Sequence, residues 1–82
     1  MKQYKNLNGD SLVDAYDIDV DYVLIKFKDN TRYLYNVHHT GENNIEILKS
    51  LAKEGKGLYH FILENLKKKH AKKFNVKKRV KD

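Results

Sequence analysis

The chain has no cysteine, so neither a disulfide framework nor a thiolate zinc site can hold it together, and nothing points to an oxidising compartment. It also lacks a long apolar run. Met1-Lys2-Gln3-Tyr4-Lys5 leads into no stretch of signal-peptide length, and nothing approaches the roughly eighteen apolar residues that a membrane span needs. The expected setting is cytoplasmic, with no membrane span. No nucleophile motif, phosphate-cradling glycine loop or paired-carboxylate pattern is present. No helix-turn-helix or zinc-finger pattern argues for reading a duplex groove. These absences leave no catalytic residue, metal-ligand set or cofactor to assign.

The 82 residues make one domain, which buries about 60% of the surface of its unfolded chain and has modest stability. Net charge is +6, but the sign is unevenly placed. Residues 1 to 66 hold eight Lys/Arg against ten Asp/Glu, whereas residues 67 to 82 hold nine against one. A mildly acidic body with a basic appendage implies attraction to phosphates, acidic lipid or an acidic protein surface.

Residues 1 to 10 carry Asn6, Asn8, Gly9 and Asp10, a turn-rich lead expected to be loosely held. Leu12 to Tyr16 and Tyr22 to Lys28 predict two strands, joined by the polar Asp17 to Asp21. Asp29-Asn30 is a two-residue hairpin signal, and Thr31 to Val37 predicts the third strand. Ile45, Leu48, Leu51 and Ala52 recur at helical spacing, with Asn43 and Glu46 as an expected capping pair and Gly55 as the stop. That places a helix at about 43 to 54. A second helical stripe, Leu58, Phe61, Ile62 and Leu66, begins after Gly57. The expected architecture is α+β: a three-stranded antiparallel meander followed by two helices, the first packed on one sheet face. The domain is expected to span 11 to 66, with 67 to 82 a basic C-terminal helix extension or tail.

Several of these residues resemble the KTSC domain, a family named for its occurrence at the C-terminus of some lysyl-tRNA synthetases and found also as a small stand-alone bacterial or phage protein. The resemblance runs from Tyr16-Asp17 through Val23, Ile25, Phe27 and Lys28 to Tyr33, Tyr35 and Val37, and resumes at Lys56-Gly57 and Tyr59. It covers about fifty residues, roughly 16 to 66. The chain departs from the family pattern at Asp14, Asn30 and His38. What the resemblance implies is a role in RNA binding, without a defined site.

Alternation along a strand puts Tyr33, Tyr35 and Val37 on one side and Arg32, Leu34 and Asn36 on the other. Two tyrosines in a row either stack unpaired bases or pack beneath the first helix. In the second case the face with Tyr22, Leu24, Arg32 and Leu34 is the open one, and Leu24 with Leu34 suits a homodimer or the protein's own tail. The strongest functional signal is the basic segment Lys67, Lys68, Lys69, Lys72, Lys73, Lys77, Lys78, Arg79 and Lys81. So dense a block of like charge repels itself unless anions condense on it. Neutralising about six phosphates would cost about a thousandfold in affinity between about 50 and about 200 mM salt. The alternative for the segment is a solvated extension. A membrane surface is a weaker partner, with only Phe74, Val76 and Val80 to insert.

Asp17, Asp19 and Asp21 imitate the start of a calcium loop, but Tyr22 stands where that loop needs glycine and Lys28 where it needs glutamate. A solvated turn, or weak contact with the basic tail, accounts for them better. His38, His39, His60 and His70 show no ligand spacing. A metal-free ribonuclease using His38 or His39 as base remains conceivable on composition alone.

The leading expectation is a non-catalytic module for RNA, or single strands, ahead of duplex DNA. Its expected contacts are the nine cations just named together with Arg32, Tyr33 and Tyr35. The runner-up is a protein-interaction module, such as a phage-encoded binder of a host protein.

Overall fold

The computed structural model describes residues 1 to 75. It is α+β: an antiparallel sheet with helices on one face. Five strands follow one another across the sheet in chain order, β1 (Lys2–Gln3), β2 (Val13–Ile18), β3 (Tyr22–Phe27), β4 (Thr31–Asn36) and β5 (Lys72–Asn75). Between β4 and β5 come α1 (Val37–Thr40), α2 (Glu42–Glu54) and α3 (Leu58–Asn65). The expected meander is therefore its centre, flanked by two strands that were not expected.

The register explains which face the helices cover. Val23 lies opposite Tyr35 and Ile25 opposite Tyr33, so the aliphatic face of β3 and the aromatic face of β4 are the same face. Ile45, Leu48 and Ala52 of α2 close over it, joined by Leu58 and Ile62 of α3 and by Leu66. On β2 a bulge at Asp14 inserts one residue between the pairs Val13–Phe27 and Ala15–Lys26. That insertion turns both Val13 and Tyr16 inward although they are three apart. Asp14 is left to pair with Lys26 at 3.0 Å.

Turns are local and follow residue chemistry. The β3–β4 loop is three residues, Lys28 to Asn30, one longer than expected: the Asn30 N–H donates to the Phe27 carbonyl and Asn30 takes φ 71°. A type I turn followed by a left-handed residue is the usual three-residue hairpin, and asparagine tolerates that conformation. The helix expected from Asn43 begins one residue earlier, after Gly41, and Asn43 is not its cap. Asn36 instead caps α1, its Oδ1 accepting from the His39 N–H at 2.9 Å. Val37, expected to extend the strand, begins that short helix.

The first ten residues are not a loose lead. β1 pairs with β2, and Tyr4 is 3% exposed, its hydroxyl accepting from the Leu58 N–H at 3.4 Å. Gly55 closes α2 in the left-handed conformation at φ 87°, and its carbonyl accepts from the Leu7 N–H at 2.8 Å. A Cβ added there would stand 2.6 Å from Lys5 Cβ. Gly55→Ala is thus expected to cost about 1–3 kcal/mol through strain and displacement of the lead. A urea midpoint equal to the parent's would refute this.

The second helix does not run into the lysines. α3 ends at Asn65, and the chain returns as β5 along β4. Continued as a helix, Lys68 and Lys72, and Lys69 and Lys73, would sit one turn apart with like charge. On an edge strand the same residues alternate between faces, and lysine is well suited to an edge that must not pair further. Thr40 secures the crossing by donating its hydroxyl to the Lys69 carbonyl at 2.7 Å, and the Ala71 N–H donates to the Leu34 carbonyl at 2.7 Å. Among the described residues no helix is long and apolar enough to cross a membrane.

Candidate functional site

Where the β3–β4 hairpin faces α3, the sheet and helix leave a groove of about 590 Å³. Aromatic and aliphatic side chains from separate elements line it: Phe27 from β3, Tyr33 and Tyr35 from β4, Tyr59, Ile62 and Leu63 from α3. Their rings are mutually braced. Phe27 meets Tyr33 edge-on at 5.4 Å between centroids and Tyr59 at 6.2 Å. Tyr33 runs nearly parallel to Tyr35 at 6.3 Å, and His70 abuts the Tyr33 ring edge-on at 4.8 Å. This offset and edge-to-face geometry is the favourable one for aromatic quadrupoles, so the walls hold their shape without a ligand.

The rim is charged. Lys28, Lys67 and Lys73 line the groove, against one carboxylate, Asp29. That carboxyl is held below its ordinary range first by the Thr31 N–H, which donates to it at 2.9 Å, with the Thr31 hydroxyl and nearby Lys73 helping. It is thus ionised and already engaged by the hairpin. Lys73 lies opposite Tyr33 in the register and carries its ammonium 5.6 Å from that ring's centroid. Within the described residues, Lys67, Lys68, Lys69, Lys72 and Lys73 form no ion pair. Lys77, Lys78, Arg79 and Lys81 lie outside the described residues, as do Val76 and Val80.

The structure separates residues that the sequence grouped together. Tyr35 is 1% exposed and belongs to the core, so it is no stacking platform; Tyr33 is half-buried and remains at the groove. Arg32 faces the other side of the sheet, half-buried beside Phe74, and does not meet the groove lysines. Lys72 shares that outer side opposite Leu34, with Lys26 and Leu24. The carboxylates of the second turn are not near the lysine segment: Asp17 pairs with the chain's amino terminus at 3.6 Å, and Asp19 accepts from the Val20 N–H. Their strand lies on the far side of β3 from β4 and β5. His38 and His39 are exposed and, among the described residues, engage each other and Asn36. No group of three or more metal-binding side chains gathers among the described residues.

Sequence reasoning missed the walls from Phe27, Leu63 and Tyr59, and strand alternation places Lys28 with Lys26 and Arg32 on the opposite face, whereas it lines the groove. No local signal could have joined them, because the groove exists only once α3 crosses the hairpin.

Burial also sets the behaviour of two phenols. Tyr35 is pushed far above the ordinary value near 10 by desolvation, with Tyr33 beside it adding to the shift; Tyr4 is raised mainly by burial. The folded state keeps these protons more tightly than the unfolded chain. Their contribution to stability is therefore complete below the ordinary phenol value and is lost as pH rises above it, by up to about 1.4 kcal/mol per pH unit for each group. Alkaline titration followed by phenolate absorbance is expected to show late ionisation of Tyr4 and Tyr35 that appears together with loss of the fold. Six equivalent tyrosines titrating in a folded protein would contradict the assignment.

Fold and site together define a small α+β protein with a helix-covered antiparallel meander and an aromatic groove edged by lysines. Comparison with protein-family models, curated proteins and solved structures returned no match.

Proposed function

We propose that the protein is a non-catalytic nucleic-acid-binding module that favours RNA or single strands. The observation that supports this most directly is the run of exposed lysines from Lys67 to Lys73, unpaired with any carboxylate among the described residues, of which Lys67 and Lys73 line a groove that holds aromatic rings. Cations along a backbone path with aromatic faces next to them are the two components of single-strand recognition. The resemblance to the KTSC domain lends support from the sequence side. Binding of this kind is governed by phosphate contacts and is largely blind to sequence.

The test is a titration of the full chain with single-stranded RNA and with duplex DNA near physiological salt. Preference for the single strand is the expected result. Failure of both to bind would remove the reading.

One observation favours a second reading, a protein-interaction module, including a phage-encoded binder of a host protein. Among the described residues no helix covers the outer face of the sheet, where Leu24 lies opposite Leu34 and Phe74 is 39% exposed. A homodimer through Leu24 and Leu34 belongs to the same reading, which gains if nucleic acid does not bind.

A further inference from the structure

Resting on that reading, we propose that the groove between the hairpin and α3 takes one unpaired nucleobase, with the adjoining phosphate held at the rim by Lys67 and Lys73. The electrostatics of bulk attraction do not require such a site. Lysines on an open surface hold a backbone whether or not it carries bases, whereas this groove offers something a phosphate cannot use.

Three features point to a base. The volume of about 590 Å³ falls within the roughly 300–1,000 Å³ of small-ligand sites. The apolar walls combine the rings of Phe27, Tyr33 and Tyr59 with Leu12, Ile62 and Leu63, and a flat π system stacks on such rings whatever its identity. Polar charge is confined to the edge, where three lysines outnumber the single carboxylate of Asp29, itself occupied by Thr31. An occupant must therefore be apolar and flat at one end and anionic at the other. Lys73 links the two ends, since its ammonium already stands 5.6 Å from the Tyr33 ring. A base laid against that ring brings its phosphate within the reach of the same side chain.

Occupancy also fits how the groove is built. Tyr35 and Ile62 behind it are buried core, while Leu63 at its mouth is 44% exposed. The site is thus backed by packed core, which keeps the cost of ordering low. Because the opening lies at the sheet–helix boundary, a stacked duplex cannot present a base to it without extruding one. This accounts for the single-strand preference by geometry.

The experiment compares the full chain's affinity for a short oligouridylate with that for a fully abasic ribose-phosphate backbone of equal length, at one salt concentration. The abasic strand is expected to bind about tenfold more weakly or worse, although its phosphates are the same. Tyr33→Leu and Tyr59→Leu keep apolar volume but remove a ring, and each is expected to shrink that ratio. Equal affinity for the two strands overturns the base site while leaving charge-driven binding intact, and would leave the groove to an apolar protein segment. A ratio unaffected by either variant also overturns it, because the base then stacks elsewhere. If neither strand binds, the site and the reading beneath it fail together.

Discussion

Tyr35→Ala is expected to lower the unfolding free energy by about 3–5 kcal/mol, the cost of emptying an aromatic-sized hole in a packed core. Its neighbour tells the opposite story. Tyr35 is 1% exposed, sits opposite Val23 under the helices and lies beside the Tyr33 and His70 rings. Each of these contacts is lost at once, and no neighbouring backbone can collapse into a space framed by a sheet. A chain of this size has only about 4–12 kcal/mol in total, so the variant gives up at least about a quarter of it and should melt well below the parent. Tyr33, two residues away and partly buried at the groove, should cost less when cut to alanine, about 1–2 kcal/mol, because part of its surface already meets solvent. Urea unfolding of both variants decides the matter. Equal losses, or a Tyr35→Ala protein as stable as the parent, would mean that the two rings do not divide between core and site.

That division was only half visible in the sequence. Alternation puts Tyr33 and Tyr35 on one face, and two readings were open, a stacking platform or a packed layer. The structure puts Tyr35 in the core and leaves Tyr33 at the groove. The difference lies in position along the strand: Tyr35 is opposite Val23 at the centre of the sheet, while Tyr33 is nearer the hairpin, where α3 covers it incompletely. Local pattern cannot report how far a helix reaches.

The same distinction separates the elements that were legible from those that were not. The α+β class, the chain-order meander and the helix stopped by Gly55 follow from periodicity and turn chemistry within a few residues of each other. β1 and β5 do not, because Lys2–Gln3 and Lys72–Asn75 have no apolar alternation of their own and become strands only by pairing with β2 and β4. β5 in particular falls where the second helical pattern can run on, with only Ala71 and Phe74 as apolar residues among the charges, which suggests a basic helix extension or a tail. Its partner Leu34 lies nearly forty residues earlier in the chain. The bulge at Asp14 was hidden for a similar reason: the extra residue is revealed by the inward turn of both Val13 and Tyr16, not by any residue type. Sites assembled from three such elements are beyond reach until the elements are placed.

The arrangement of charge on β5 leads to the last expected result. Counterion release gives single strands a slope of about −0.7 per phosphate neutralised, so engagement of the five lysines from Lys67 to Lys73 implies a slope near about −3.5 and an affinity loss of about a hundredfold between about 50 and about 200 mM salt. Replacing Lys67, Lys68 and Lys69 together by glutamine should flatten that slope by about 2, with little effect on folding because all three are exposed and form no ion pair among the described residues. Ending the chain after Leu66 would be a poor substitute: it removes β5, takes His70 from the tyrosines and bares the β4 edge, so a fall in binding would confound charge with unfolding. Single substitutions on the strand then tell which face the ligand uses. Lys73 lies opposite Tyr33 on the groove side, and Lys72 opposite Leu34 on the outer side. Lys73→Gln should weaken RNA binding more than Lys72→Gln, by roughly the effect of one phosphate contact. Equal effects would mean diffuse attraction to both faces; a larger effect at Lys72 would move the ligand to the open face of the sheet, away from the aromatic groove.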